Sequence, residues 1–410
     1  APVEAAMRSA TVPTTRFAQL AQGIPRPFWA LLVGTFITRA GSFVMPLLFV
    51  YLTQRRGLEL PVAGGIVALY GLGALLGSVL GGSLADRYGR RFTMLASYLT
   101  GATFLLLLGV ADALPTIALS TFVCALASDM SRPATLALMA DIIPSEHRLK
   151  AFSMIYWVIN LGVSFAAVIG GYMATRNFAV LFIGDAVSTL LLALIIWRFV
   201  PETRPQAVKH EAKAGSLLTP FVDRRFAPFL LLNLMVATVF FLHLSVQPDD
   251  MNHKGLSTED YGLSIATNGV LIVLLQPFIT RLQAGWRHAH ALALASLLTG
   301  VGFALNTWAS TLPAYVGAVA VWTLGEILFA PVNSTVVAQL SPENLRGRYQ
   351  GSFTLTWGLA SMLAPVLGTS LIPLIGHRGV WLGGLALGAL AAVGHLTISA
   401  RVLPKDAKGE

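Results

Sequence analysis

Twelve stretches of this chain are each long and apolar enough to cross a hydrocarbon layer, and that leaves few folds open. A spanning helix needs about 20 mostly apolar residues. The runs 28–53, 61–85, 92–111, 115–140, 150–174, 178–200, 226–247, 260–282, 289–309, 312–340, 348–374 and 379–402 meet that requirement. Only 11% of the residues are charged and 55% are hydrophobic, against about 25% charged in a soluble domain, so lipid is the expected surrounding. Inside lipid each backbone polar group must be bonded within the protein, which a helix does within its own segment. The expected fold is therefore an all-α polytopic membrane protein with twelve transmembrane helices. The connections are short except at 201–225, which splits the spans six and six. The expected organisation is a tail 1–27, a six-helix bundle 28–200, a linker 201–225, a second bundle 226–402 and a tail 403–410.

Charge sets an expected orientation, because cytoplasmic loops of membrane proteins carry the excess Lys and Arg. With both termini in the cytoplasm, 21 of the 28 Lys and Arg fall on that side. Five, namely Arg55, Arg56, Arg176, Lys254 and Arg378, fall on the other, while Arg39 and Arg132 lie inside spans. The net charge of +9 thus follows from topology, and no basic patch interleaved with aromatics suggests nucleic acid. The first residues lack a secretory leader pattern, and Met7 is a candidate natural start. Cys124, the one cysteine, sits in an apolar run, so no intrachain disulfide can form.

The two halves resemble one another. Shifted by 198 residues, 133–170 lies over 331–368 without a gap, pairing Pro133 with Pro331, Ala140 with Ala338, Pro144 with Pro342, Arg148 with Arg346 and Gly170 with Gly368. The alignment matches span four to ten and five to eleven, as a six-plus-six duplication requires. Two parallel halves related by an axis along the membrane normal are a known transporter architecture, with the site between them near mid-membrane.

After span two the chain reads Gly82-Ser83-Leu84-Ala85-Asp86-Arg87-Tyr88-Gly89-Arg90-Arg91. This resembles the signature loop of the major facilitator superfamily, at the place where that family carries it. Within the family, Arg132-Pro133-Ala134, the run Ala140-Asp141-Ile142-Ile143-Pro144 and Arg148 are most similar to bacterial drug:proton antiporters. In span five, Ala166-Ala167 stands where those antiporters carry Gly-Pro. Thr35, Thr38 and Arg39 faintly resemble span one of peptide symporters, with threonines in place of their acids. The resemblance implies two pseudo-symmetric six-helix halves (the major facilitator fold), alternating access and a proton gradient as energy source with no cofactor. It also implies a latch built from Gly82, Asp86, Arg87, Gly89 and Arg90. Asp86 would meet the start of span eleven near Arg348, and Arg90 would pair with Asp141.

Ionisable side chains within spans are costly and usually functional. Asp129 and Arg132, three residues apart, share a helix face. They form either a self-neutralising pair or a switch in which a proton displaces Arg132. Glu326 shares its face with Trp322, Phe329 and Asn333 and suits a group that loads and unloads a proton, with Arg39 as candidate partner. These four, Asp129, Arg132, Arg39 and Glu326, are the expected proton-coupling residues. The expected cavity wall is Trp157, Asn160, Ser164, His243, Gln247, Trp322, Phe329, Asn333 and Asp185. For Asp185 and His243 a structural hydrogen bond is the competing role, and for the span-five face it is interhelical bonding.

No phosphate-cradling loop, metal-ligand cluster or nucleophile triad is present in the sequence, so ATP drive, a metal and enzymatic activity are not expected. The expected function is proton-coupled export of lipophilic, cationic small molecules by a monomer in a bacterial inner membrane. The alternative is proton symport of a sugar, peptide or organic anion, which two arginines within the membrane would favour.

Overall fold

The computed structural model describes residues 23–203, 218–283, 285–342 and 345–399. The expected tail 403–410, most of the tail 1–27 and the middle of the linker 201–225 lie outside the described residues. The spans are α1 (Arg26–Arg55), α2 (Leu60–Tyr88), α3 (Arg90–Val110), α4 (Leu114–Ile142), α5 (Arg148–Ala174), α6 (Phe178–Phe199), α7 (Phe226–Leu244), α8 (Thr258–Leu282), α9 (His288–Leu305) and α10 (Leu312–Leu340). Residues 346–394 then run on as one 49-residue helical stretch. At about 1.5 Å per residue that is some 74 Å, more than twice the hydrocarbon thickness. Gly376, at φ 68° and ψ 170°, divides it into α11 (346–375) and α12 (377–394). Twelve spanning helices result, and no strand occurs among the described residues.

Local chemistry fixes where helices begin. Proline fills the first turn of α1, α2, α4 and α10, where a missing N–H costs nothing. Asn177 accepts from Ala179 N at 2.9 Å to cap α6, and Ser257 and Asp260 form a capping box at α8. Two spans depart from the expected runs. α1 is interrupted at Gly41–Phe43 before it resumes at Val44. α7 breaks through a short turn at Leu242–Leu244, then continues as a helix over Val246–His253, well past the expected end at 247. That polar stretch is helical because its polar groups are met. Asp250, fully buried, accepts from Lys254 Nζ (3.0 Å), Tyr315 OH (2.7 Å) and Trp381 Nε1 (2.9 Å). Asp249 meets His377 Nε2 at 2.8 Å.

Close helix packing within the first half rests on α2. A Cβ at Gly73, Gly77 or Gly81 would sit on the backbone of α4 at Phe122, Leu126 and Met130. Two further close contacts lie between halves: α5 against α8, where Gly171 meets Gly262, and α2 against α11, where Gly64 meets Thr369 and Pro365. Both of these contacts sit at the end away from the linker. There a single core joins Val44, Leu47, Leu48 and Leu52 to Met251, Tyr261, Ile265 and Tyr315. Tyr261 also shares its hydroxyl between the carbonyls of His243 (3.0 Å) and Pro46 (3.3 Å), one from each broken span. At the linker end the cores are separate, one around Phe28, Leu138 and Ile196 and one around Phe226, Phe329 and Tyr349. The halves are closed at the far end and parted at the linker end.

Each linker end is pinned to its own half. Glu202 accepts from Arg91 N (3.0 Å) and Phe92 N (2.9 Å) at the head of α3. Asp223 accepts from Tyr349 OH at 2.6 Å. Partial burial pushes the Asp223 carboxyl up, but the Tyr349 hydroxyl and the N–H groups of Arg225 and Phe226 outweigh it and hold it below the usual range.

Replacing Gly77 with Leu is expected to destabilise the protein by about 1–3 kcal/mol through overpacking, whereas Gly65→Leu, which meets open space, leaves it unchanged. Thermal unfolding in detergent measures both. Equal melting would show that α2 and α4 are not in close contact.

Candidate functional site

Two adjoining cavities occupy the middle of the bundle. The central one, about 900 Å³, lies between the halves, with Tyr70, Ser78, Asp129 and Arg132 on one side and Glu326, Phe329, Asn333, Gln350, Phe353 and Trp357 on the other. The second, about 630 Å³, is enclosed by the six helices of the first half. Arg39, Asp129, Arg132 and Asp185 line it with Tyr70, Tyr98 and Tyr156 and a set of hydroxyls including Thr35, Thr38, Thr121 and Ser128. Tyr70, Met45, Asp129 and Arg132 belong to both, so the two spaces adjoin and share a wall.

The structure brings Asp129 and Arg132 to 3.9 Å, with the Arg132 side chain 70% exposed in the cavity. Glu326 has a different partner from the one expected. Its Oε2 accepts from Asn268 Nδ2 at 2.7 Å, and the same amide reaches Thr323 Oγ1 at 3.1 Å. Among the described residues no cation lies within ion-pair distance of Glu326, so Arg39 is not its partner. Arg39 lines the inner chamber, where Asp129 and Asp185 both feel its charge. Phe329 and Asn333 line the central cavity, and both amide atoms of Asn333 are buried without a hydrogen-bond partner. Asp185 lines the chamber and accepts from Val44 N at 3.2 Å.

Six expected wall residues are elsewhere. Trp322 is 1% exposed and stacked on Phe303 and His243. Gln247, fully buried, donates to Ser264 Oγ at 3.3 Å. His243 bonds the Phe240 carbonyl at 2.7 Å in the α7 break. On α5, Trp157 donates to Val273 O of α8 at 3.2 Å, and Ser164 and the Asn160 carbonyl face Gly269 of α8. That face is therefore an interhelical seam. The cavity face of α5 is the neighbouring one, with Phe152, Ile155, Tyr156 and Ile159. The reason is common to all six: helices apolar nearly all round carry little periodic signal of which side faces where.

The signature loop is built as a local cluster. Arg90, buried, reaches Asp86 at 3.1 Å, Asp141 at 3.3 Å and the Ala85 carbonyl at 2.8 Å. Thr203 donates to Asp141 at 2.9 Å. Gly89 takes φ 105°, and a Cβ there would strike Glu202, so glycine is required on both counts. Gly82 faces open space, and Arg87 lies over the Tyr88 ring at 5.2 Å. Asp86, 73% exposed, has Arg90 as its ion-pair partner and, among the described residues, none on α11. Of the two expected contacts, Arg90 with Asp141 is made and Asp86 with α11 is not, in keeping with halves parted at that end.

Asn268 and Thr323 carry no formal charge and stand out little among the polar residues of the spans. A lone amide in an apolar run was the available signal. Asp250 and its partners escaped because a polar stretch reads as a loop.

The chain belongs to the Major Facilitator Superfamily, whose profile matches residues 31–246 and 229–410. It is a multi-pass membrane transporter of that family. It is 27% identical over 400 residues to the uncharacterized MFS-type transporter YttB of Bacillus subtilis, covering 94% of this chain and 98% of that one. Over 397 residues it is 24% identical to a Na(+), Li(+), K(+)/H(+) antiporter of Planococcus maritimus, covering 88% and 92%. The multidrug resistance protein MdtH of Aeromonas salmonicida is 24% identical over 372 residues, with 88% and 92% covered. In fold, the chain matches a crystal structure of a POT family transporter with a TM-score of 0.80 at 17% identity, covering 94% of this chain and 100% of that one.

In a Cys124→Ser background, Ser334→Cys is expected to react with a water-soluble thiol reagent through the central cavity, while Ser164→Cys stays protected in the α5–α8 seam. Rapid labelling at 164 would move the cavity wall back to that face.

Proposed function

We propose that this transporter exports lipophilic, cationic small molecules in exchange for protons, with Glu326 as the group for which substrate and proton compete. The observation that carries this is a carboxyl without a counter-ion in an aromatic-walled cavity. Glu326 is held by a neutral amide and lies in the same cavity as Phe241, Phe329, Phe353 and Trp357. Aromatic faces attract organic cations, and the carboxylate completes the match. When Glu326 is protonated, a cation loses its counter-charge and leaves. When it is ionised, cation binding excludes the proton. The antiporter and multidrug names of two relatives support exchange. Asp129, beside Arg132, would supply a second carboxylate for a proton.

The excess of Lys and Arg supports a cytoplasmic linker end with both termini on that side, and a monomer in a bacterial inner membrane completes the reading. The parted halves are then an inward-facing state. Rocking of the two bundles would reverse which end is open. Asp86 would then engage the head of α11, where a carboxylate is favoured.

A second reading is proton symport of a small anion, favoured by Arg39 and Arg132 in adjoining cavities. Proteoliposomes holding a pH-sensitive dye separate the two. Organic cations are expected to move protons in wild type and not in Glu326→Gln. Proton flux triggered by anions or sugars alone, running with the solute, would replace export by symport. Flux triggered only by Na(+), Li(+) or K(+) salts would make the cargo inorganic. Asp86→Asn is expected to keep ligand affinity and slow turnover, and wild-type turnover in that variant would remove the latch.

A further inference from the structure

α1 is two helices in series. The first ends at Ala40 and the second starts at Val44. Between them Ser42 N turns back to the Arg39 carbonyl (3.3 Å) and Phe43 N to that of Gly41 (2.9 Å). A break of this kind leaves N–H groups at the head of the second segment without carbonyls one turn back, at membrane depth, where they need partners. α6 provides one. The Asp185 carboxylate, 7% exposed, accepts from Val44 N at 3.2 Å. The same turn of α6 is docked on the break: Ser188 Oγ donates to the Asp185 carbonyl (2.9 Å), and Thr38 donates to the Ser188 carbonyl (3.2 Å). A Cβ at Gly41 would overlap Ser188, so glycine permits this approach.

Asp185 also lines the inner chamber, which adjoins the central cavity across Tyr70, Asp129 and Arg132. One carboxylate therefore touches the space that protons enter and the head of a half-helix. That half-helix brings Val44, Leu47, Leu48 and Phe49 to the core that closes the halves at the far end. An ionised carboxylate accepts the Val44 N–H and is attracted to the positive head of the helix. A protonated one loses the charge and turns one oxygen into a donor, for which the helix head has no use.

We propose that Asp185 is a positioning residue of the transport cycle, whose carboxylate holds the bend in α1 and with it the far-end closure, and whose protonation from the chamber releases both. This rests on the proton-coupled reading above. The groups that face the chamber with Asp185 are Arg39 from α1, Tyr70 from α2, Tyr98 from α3, Cys124 and Asp129 from α4 and Tyr156 from α5. Of these, Arg39 and Asp129 are the formally charged groups, and Arg132, also in the chamber, lies 3.9 Å from Asp129.

The test uses spin labels on Glu59→Cys and Ser310→Cys, at the far end of the two halves, in a Cys124→Ser protein without substrate. Distances are recorded from acid to alkaline pH. Wild type is expected to gain a longer-distance population in acid. Asp185→Asn keeps an oxygen for Val44 N but cannot titrate, so it should lose that response at unchanged melting temperature, while Asp185→Glu restores it and Glu326→Gln retains it. A wild-type pH response in Asp185→Asn, or no response in wild type, overturns the proposal. Because no substrate is present, this result stands apart from the flux experiment. Absence of substrate-driven proton movement would defeat the exporter reading, and a flat distance profile would defeat this one.

Discussion

In a bilayer an unmet backbone N–H or C=O has no water to turn to, and this structure follows from how the chain obeys that rule. Unbroken helices satisfy it alone, which is why the molecule is a bundle. The exceptions are informative. Where α1 breaks, a carboxylate from α6 meets the Val44 N–H. Where α7 breaks, the freed His243 carbonyl receives the hydroxyl of Tyr261, which also touches the Pro46 carbonyl of α1. The two broken spans occupy matching positions in the two halves, and a single tyrosine from α8 bridges them. Each break is tolerated because a neighbour supplies the missing partner, so the bends and the interhelical contacts are one feature.

The same rule shapes the seam between halves. With lipid as apolar as the side chains, helices adhere through close packing rather than through exclusion of water. Gly171 of α5 meets Gly262 of α8, and Gly64 of α2 meets Thr369 and Pro365 of α11, at the far end. At the linker end the facing surfaces carry Arg132, Gln350 and Ser334 around open space. Polar walls of that kind do not close on one another as backbone contacts at glycine do.

Much of this was written in the sequence, and the rest was not for physical reasons. The spans were legible because hydrocarbon tolerates nothing else over such lengths. The Gly41 break was hidden because it sits in an uninterrupted apolar run, and the Val246–His253 helix because its acids looked solvated, whereas Asp250 has three donors waiting. Arg39, Asp129, Arg132 and Glu326 stood out by charge, and the structure puts all four on the two cavities. Which uncharged residues face those cavities was not legible. Trp322 and Gln247 share helices with true wall residues but point into the bundle, and the α5 face chosen by its polarity turned out to be the seam with α8.

The join between α11 and α12 is a single residue, Gly376. Such a corner has no spare chain. It cannot pay out length as a loop does, so neither helix can slide along its axis without dragging the other. α11 carries Gln350 and Trp357 at the central cavity, while His377 and Trp381 just past the corner hold Asp249 and Asp250 of the extended α7. The pair is thus a rod with an elbow, tying the cavity end of α11 to the opposite face of the protein. The practical corollary is that this corner, though it lies at the surface, is a poor place to graft an epitope or a fluorescent module, since any added residue would uncouple the two arms.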